Sequence, residues 1–364
     1  MVTTPEGAAV RIGLISTPWT PLPPPAYGGL EAVVDSLARG FAASGHEVLV
    51  AAPGDSTSPV PLVPDSPPTD PGGTWLTEAE LAHVVRAYRA MAEMEIIHDH
   101  TLAGPLYLNR PPGIPVVTTN HGPFRQPLCD IYRAMDGQTA LVAVSRHQAS
   151  TADGLPIARV ILHGIDVDAV PVGDGAGGYC CFLGRMSPRK GVREAALVAR
   201  KAGVPLRIGA KIQDGIERDY FDSRVAPLLT SEVQYVGELN TEEKYQLLGG
   251  ATALLNPIQW PEPFGLVMAE ALAAGTPVVA TPAGAAPEIV DDTVTGYLRA
   301  DIDALAVCLT QAGNLNRGRC RQDALSRFSA QRMVAEHLDL YNELLNAGQR
   351  PEGQERGGRA GPVR

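Results

Sequence analysis

The chain has no CxxC pair, no run of 18 apolar residues, and only four lysines among its 30 basic residues. Its five cysteines, Cys129, Cys180, Cys181, Cys308 and Cys320, are odd in number and scattered. That excludes a disulfide framework and offers no zinc spacing. Without a long apolar run there is no membrane-spanning helix. The opening MVTTPEGAAV lacks the basic, apolar and small-residue succession of a secretory signal, which predicts a cytoplasmic protein. No Gly-x-Ser-x-Gly elbow, HExxH or phosphate-loop lysine motif occurs, so hydrolase and kinase readings lack their usual nucleophile or phosphate cradle. The scarcity of lysine follows codon composition and excludes nothing. A net charge of −10 argues against nucleic acid as a partner. Residues 1–168 hold nine Arg, no Lys and 17 Asp plus Glu, a formal −8. An anionic membrane surface repels such a half, so stable membrane association is not expected.

What is present fits two domains, because single cores rarely grow beyond ~250–300 residues and the chain has 364. RIGLIS, EVLVAA, EIIHD, PVVTT, ALVAV and RVIL are short apolar strands separated by helical or loop segments. This alternation predicts parallel strands with helices on both faces. Residues 53–74, with seven prolines, read as a loop without a core role. Thr77 and Glu80 have capping-box spacing at the start of a helix. VDAVPVGDGAGG reads as a linker, after which YCCFLG, PLRIG, VQYVG, ALLNP and PVVAT form a second alternating series. Helices are predicted around residues 193–201, 217–228, 242–250, 301–327 and 330–346. The linker matches GxGxxG at Gly173, Gly175 and Gly178, but it follows a loop and opens a strand. A dinucleotide fingerprint requires the reverse, so nicotinamide binding is rejected.

The segment EPFGLVMAE sets Glu262 and Glu270 eight residues apart across a strand-to-helix transition. At ~1.5 Å rise per residue, two carboxylates eight apart lie roughly 12 Å from each other and about 80° around a helix axis. They cannot grip one atom together, but they can hold opposite ends of an extended molecule. The amides of Phe264, Gly265 and Leu266 would face an anion in between. A solvated helix face is the bland alternative. Gly28-Gly29 stands where a strand's loop enters a helix, and serves either close backbone approach to a ligand or a plain turn. In FLGRMSPRKG, Arg185 and Lys190 follow a strand and could neutralise a diphosphate, or form an exposed basic turn. His98 and His100 make an HxH pair without supporting ligands, so no metal is predicted. His121, in TTNHGPF, is placed to touch a substrate or to serve as a satisfied structural histidine.

Taken in order, YGGLE, TTNHG, HGIDVD, GRMSPRKG, EPFGLVMAEALAAGTPVVAT and PEIVDDTVTGYL resemble the motif series of retaining glycosyltransferase family 4, in the glycogen synthase and phosphorylase-like superfamily. The resemblance spans about residues 11–345. It implies the GT-B architecture, an α/β fold of two Rossmann-like doubly wound parallel-sheet domains facing across a cleft. The expected division is an acceptor-side domain over 1–168 with residues 1–10 flexible, a linker over 169–178 and a nucleotide-sugar-binding domain over 179–329. A helix over 330–346 would cross back to the first domain, and 347–364 would form a disordered tail.

By motif, the resemblance implies that Arg185 and Lys190 bind the donor diphosphate, with Gly28 and Gly29 approaching it from the other domain. Glu270 would bind the ribose hydroxyls, and Glu262 with the amides of Phe264, Gly265 and Leu266 would hold the transferred sugar. His121 would contact that sugar near the reacting carbon. Glu262 is left open between positioning the sugar and reacting with it. The implied activity is a hexosyl- or pentosyltransferase acting with retention and needing neither cofactor nor metal. Its partners are a nucleotide-sugar donor and a small-molecule or glycan acceptor held against the N-terminal domain, with residues 53–74 and 124–136 as candidate walls. A sugar-nucleotide epimerase or hydrolase on the same fold is the alternative. Two positions depart from the family: His163 in HGIDVD, where Asn is usual, and Asn256-Pro257-Ile258 in place of Pro-Ser.

Overall fold

The computed structural model describes residues 9–70, 76–135 and 137–348. Of the stretch expected to be flexible over 1–10, residues 1–8 lie outside these residues, as do 349–364 of the tail expected to be disordered over 347–364; residues 347 and 348 instead close the helix Ala330–Gly348. Among the described residues twelve strands follow in chain order: β1 (Arg11–Ile15), β2 (Glu47–Ala51), β3 (Ile96–Asp99), β4 (Val116–Asn120), β5 (Ala140–Ala143), β6 (Ile157–Val160), β7 (Cys180–Arg185), β8 (Leu206–Lys211), β9 (Val233–Gly237), β10 (Leu254–Asn256), β11 (Val278–Ala280) and β12 (Gly296–Leu298). Each is short, and β3, β4, β10 and β11 are buried throughout. A strand covered on both faces is mostly apolar, and the polar residues of β3, β4 and β10 stand at their carboxyl ends.

Two six-stranded sheets form, ordered β2-β1-β3-β4-β5-β6 and β12-β11-β10-β7-β8-β9. Every recorded strand pair is parallel. Parallel neighbours require crossovers, and helices such as Gly29–Ala43 and Val192–Ala202 supply them. Within its own half, the second sheet has the doubly wound order 3-2-1-4-5-6. Its direction reverses between β7 and β10, paired through Cys181 and Leu254. The first sheet reverses between β1 and β3. Open parallel sheets leave a crevice beyond the carboxyl ends of the strands at such points. The α/β GT-B fold is therefore present, as two parallel sheets with flanking helices.

The helix Ala330–Gly348 packs on the N-terminal half, where Tyr341 meets Phe41 with ring centroids 5.4 Å apart. Its entry is tied by Ala330 N–H to Ile165 O, while Ile165 N–H donates to Phe328 O. Several local expectations are corrected. The proline-rich stretch is not a free loop: Val60 and Val63 are buried, and Leu62 bridges Val50 beside β2. Its four residues 71–74 fall outside the described residues. Thr77 lies within the helix Leu76–Ala90, and Glu80 accepts the amides of Leu102 and Ala103 in place of a capping box. The helix expected over 217–228 is Gly215–Tyr220 followed by π and 3-10 turns, with Pro227 denying the last turn a donor. The span 301–327 is two helices, Ile302–Ala312 and Arg317–Arg327. The linker is pinned, since Gly173, Gly175 and Gly177 N–H donate to Ala274, Gly249 and Gly250 carbonyls. A Cβ on Gly173 would stand 2.0 Å from Gly249 O, so its glycine serves close backbone packing.

Candidate active site

The C-terminal half presents two adjacent chain turns at its switch point. β7 ends at Arg185 and runs into the turn Pro188–Lys190, while β10 ends at Asn256 and leads to Glu262 and the helix Leu266–Ala273. That helix is entered through Gly265 at φ +92°, a conformation side chains rarely adopt. A Cβ there would also stand 2.6 Å from Met268 Cε. No side chain caps the helix, and the amides of Phe264, Gly265 and Leu266 donate to no described residue. The positive end of the helix is therefore open to an anion.

The expected cations are not free. Lys190 Nζ donates to Glu262 Oε1, with the two side chains only 19% and 12% exposed. Burial alone would lower the Lys190 ammonium, but Glu262 and Tyr27 together outweigh it and hold the group above its ordinary range. Arg185 Nε and a terminal nitrogen donate to Glu217 Oε1 at 2.8 and 2.6 Å. Glu217 is buried and fixed in turn, its Oε2 accepting Gln213 N–H and its own amide capped by Asp214. Lys244 Nζ donates to Glu270 Oε1 at 2.6 Å. Each cation is held in place by one carboxylate with room left on its other donors. Three buried polar atoms of this segment have no partner: Asn256 Nδ2, Trp260 Nε1 and Glu262 Oε2. Native interiors pair almost all such groups, so three within seven residues mark a place where a ligand would supply the partners.

From the N-terminal half, the helix Gly29–Ala43 points its start at this region. A Cβ on Gly28 would meet Pro24 Cβ at 2.6 Å, so Gly28 is required by loop packing. Gly29 is different: its open face has only Leu266 Cδ2, at 3.9 Å across the cleft. Tyr27 is 39% exposed. Burial of its hydroxyl end raises the phenol; Lys190 and Arg185 oppose that rise, while Glu262 and Glu270 add to it. Tyr27 therefore faces Lys190, Arg185, Glu262 and Glu270 of the other half. Glu31 is buried, accepts from Thr17 Oγ1 at 2.9 Å, and is raised by burial.

His121 follows β4 and belongs to a row of five histidines. Ring centroids separate His98 from His100 by 4.0 Å, His98 from His337 by 5.1 Å, His100 from His121 by 5.1 Å and His121 from His163 by 5.1 Å. His163 then meets Phe264 of the other half at 5.0 Å. Burial, with His337 adding, pushes His121 down to about 3, so its ring is neutral. No group of three His, Cys, Asp or Glu among the described residues is arranged to hold a metal ion. The halves are also joined by Glu288, whose two carboxylate oxygens accept Arg146 N–H at 2.9 Å and His147 N–H at 2.7 Å. Phe124, expected on an acceptor wall, is buried against Tyr132. Asp136 lies outside the described residues.

The model for glycosyltransferase family 4 matches residues 27–169, and the model for glycosyl transferases group 1 matches residues 174–312. The chain is a family 4 glycosyltransferase. A phosphatidyl-myo-inositol mannosyltransferase of Mycolicibacterium smegmatis is 28% identical to it over 382 aligned residues, covering 93% of this chain and 95% of that protein. A D-inositol 3-phosphate glycosyltransferase of Saccharomonospora viridis is 30% identical over 203 residues, half of this chain and 45% of that protein. Among solved structures, a glycosyltransferase involved in avilamycin A biosynthesis superposes on the family 4 chain with TM-score 0.72. It is 26% identical and covers 93% of this chain and 98% of its own. Sucrose-phosphate synthase from Thermosynechococcus elongatus reaches TM-score 0.74 at 22% identity, over 93% and 100% of the two chains, and shares the fold. Within this glycosyltransferase, sequence reasoning missed Tyr27, Glu31, Glu217 and Lys244. The signal for Lys244 was present, because three of the four lysines, Lys190, Lys211 and Lys244, stand in the turns or helices that follow or end β7, β8 and β9.

Proposed function

We propose that this glycosyltransferase moves a sugar from a nucleoside-diphosphate donor to an acceptor held against the N-terminal half, with retention of configuration at the anomeric carbon. One observation carries the reading: Lys190, Arg185 and an uncapped helix N-terminus converge at the β7–β10 switch point. Charge that grows on a departing diphosphate would meet three preorganised positive groups there. Removing one such donor group typically costs about 3–4 kcal/mol of transition-state stabilisation. These residues neutralise the leaving group without calling on a metal.

Glu262 shares Lys190 through Oε1 and keeps Oε2 unpaired. The second oxygen suits a sugar hydroxyl, and the charge suits a ring that becomes positive as the anomeric bond breaks. A carboxylate already tied to an ammonium is a weak nucleophile, which favours a positioning role and attack by the acceptor on the face the diphosphate leaves. Glu270, buried and steadied by Lys244, would take the ribose hydroxyls. Gly29 would let the backbone reach the diphosphate from the opposite side, and His121 would meet the sugar. The −8 charge of residues 1–168 favours a neutral or cationic acceptor, a sugar or small natural-product scaffold, over an anionic one.

The test is incubation with UDP-, GDP-, ADP- and TDP-sugars plus a panel of sugar acceptors, with product configuration read by proton NMR. An α-linked product from an α-linked donor supports the proposal. An inverted product, or rapid acceptor-independent conversion of the donor to an epimer, would overturn it.

A further inference from the structure

The HxH pair is not explained by sugar transfer as described so far. His100 is 4% exposed, its backbone N–H donates to Ile15 O, and its ring lies on His98. Its Nδ1 sits 2.9 Å from Nε2 of His121. His100 Nε2, at the far side of the ring, is buried without a partner. His121 Nδ1 has no partner among the described residues, and the residue is partly exposed.

Two neutral arrangements share the single proton between the rings. If His121 Nε2–H donates, His100 must carry its proton on Nε2, which buries an N–H with no acceptor. If His100 Nδ1–H donates, the group left unpaired on His100 is a bare nitrogen lone pair. Orphaned buried N–H groups are the rarer and costlier defect, and unsatisfied acceptors are better tolerated. Doubly protonated rings are excluded because His98, His121, His163 and His337 surround one another without a carboxylate among their recorded partners.

We propose that His100 fixes the tautomer of His121, so that His121 carries its proton on Nδ1 and offers the cleft an N–H donor. The inference rests on the reading in which His121 meets the donor substrate, and it deepens it. A neutral Nδ1–H donor pairs with an oxygen acceptor, a sugar hydroxyl or a phosphate oxygen. It has no lone pair at Nδ1 with which to remove a proton, so His121 orients the sugar and is not the base that activates the acceptor. His100 is a positioning residue that acts through the other ring.

The measurement is a long-range proton–nitrogen spectrum of the unliganded full chain labelled in histidine nitrogen, with His121 assigned through His121→Gln. The expected result is a protonated-type Nδ1 and a bare-type Nε2 on His121. A protonated Nε2, or an imidazolium at neutral pH, overturns the inference. His100→Asn puts an amide N–H where Nδ1 stood and should leave the His121 pattern unchanged. His100→Asp puts an acceptor there and should move the proton of His121 to Nε2. An unmoved proton in the Asp variant overturns the role of His100, and if that variant fails to fold, the parent and Asn spectra still decide. The spectrum needs no substrate. A wrong tautomer therefore refutes this inference alone, whereas failure to bind any nucleotide-sugar refutes the functional reading alone.

Discussion

Replacing Glu262 by Gln should tighten a nucleoside diphosphate while leaving the affinity for its sugar derivative nearly unchanged. In the unliganded protein Glu262 occupies Lys190, and both side chains are largely shielded from water. An incoming diphosphate has to share that ammonium and approach a carboxylate of like charge. At ~6 Å and an effective dielectric of ~20, two unit charges repel by about 3 kcal/mol, and salt reduces this by up to about half. Removing the charge should therefore tighten the bare diphosphate by roughly 10- to 100-fold. The sugar derivative also loses a charged hydrogen bond to a hydroxyl, which is worth about 1.5–3 kcal/mol. Its gain and loss nearly cancel, and the advantage of the sugar nucleotide over the bare diphosphate should shrink by about tenfold or more. Lys190→Met should weaken both ligands together. Isothermal titration of parent, Glu262→Gln and Lys190→Met with the responding nucleotide pair reads all of these. Equal weakening of both ligands by Glu262→Gln would refute the reasoning, because it would place Glu262 on the shared part of the molecule.

Three further outcomes follow from the geometry. Glu270→Ala should lower affinity for diphosphate and sugar nucleotide alike, by about 10- to 100-fold if a charge-assisted ribose contact is lost. Lys244→Met should act in the same direction more weakly, and titration showing Glu270→Ala unchanged would remove the ribose assignment. Glu288→Ala should speed amide exchange at Arg146 and His147, which donate to its carboxylate, and lower the melting temperature by a few degrees; unaltered exchange would show that the two halves are not latched there. Acid should unfold the protein abruptly. Burial holds His83 and His337 at about 4, His121 at about 3, and His98, His100 and His163 well below the ordinary range. The native state refuses protons that the unfolded chain accepts below about 6.5, so stability is intact above that pH and lost below it. The slope approaches about 8 kcal/mol per pH unit for six such groups. Asp99, raised by burial to about 6, works the other way with one proton. A melting temperature that stays level from pH 7.5 to 5 would contradict this.

Much of the fold was legible because parallel strands buried on both faces read as short, largely apolar runs, as VLVAA and PVV do. Strand β12 was missed: three residues, Gly296–Leu298, hold too little pattern to be distinguished from a loop. The break at 313–316, closed locally by the Asn316 cap on the next helix, and the π turn at 221–225 were also missed, because periodicity does not carry them. At the site, Glu262, Glu270, Arg185 and Lys190 were found because a strand-to-helix turn with charges at fixed spacing is a local signal. Glu217 and Lys244 were not, because each sits 32 and 26 residues from the charge it holds. The histidines show the same limit. His98, His163 and His337 lie far apart in sequence and become one row only once the helix Ala330–Gly348 packs on the N-terminal half.

The central claim is that the carboxyl ends of the two sheets form one nucleotide-sugar cleft. Thermal melting with UDP-, GDP-, ADP- and TDP-sugars tests it most directly. At 100 times the dissociation constant a bound donor adds about 2.7 kcal/mol, and at least one series should raise the melting temperature in the parent and lose about half or more of that rise in Glu270→Ala. No shift with any of the four series would contradict the account.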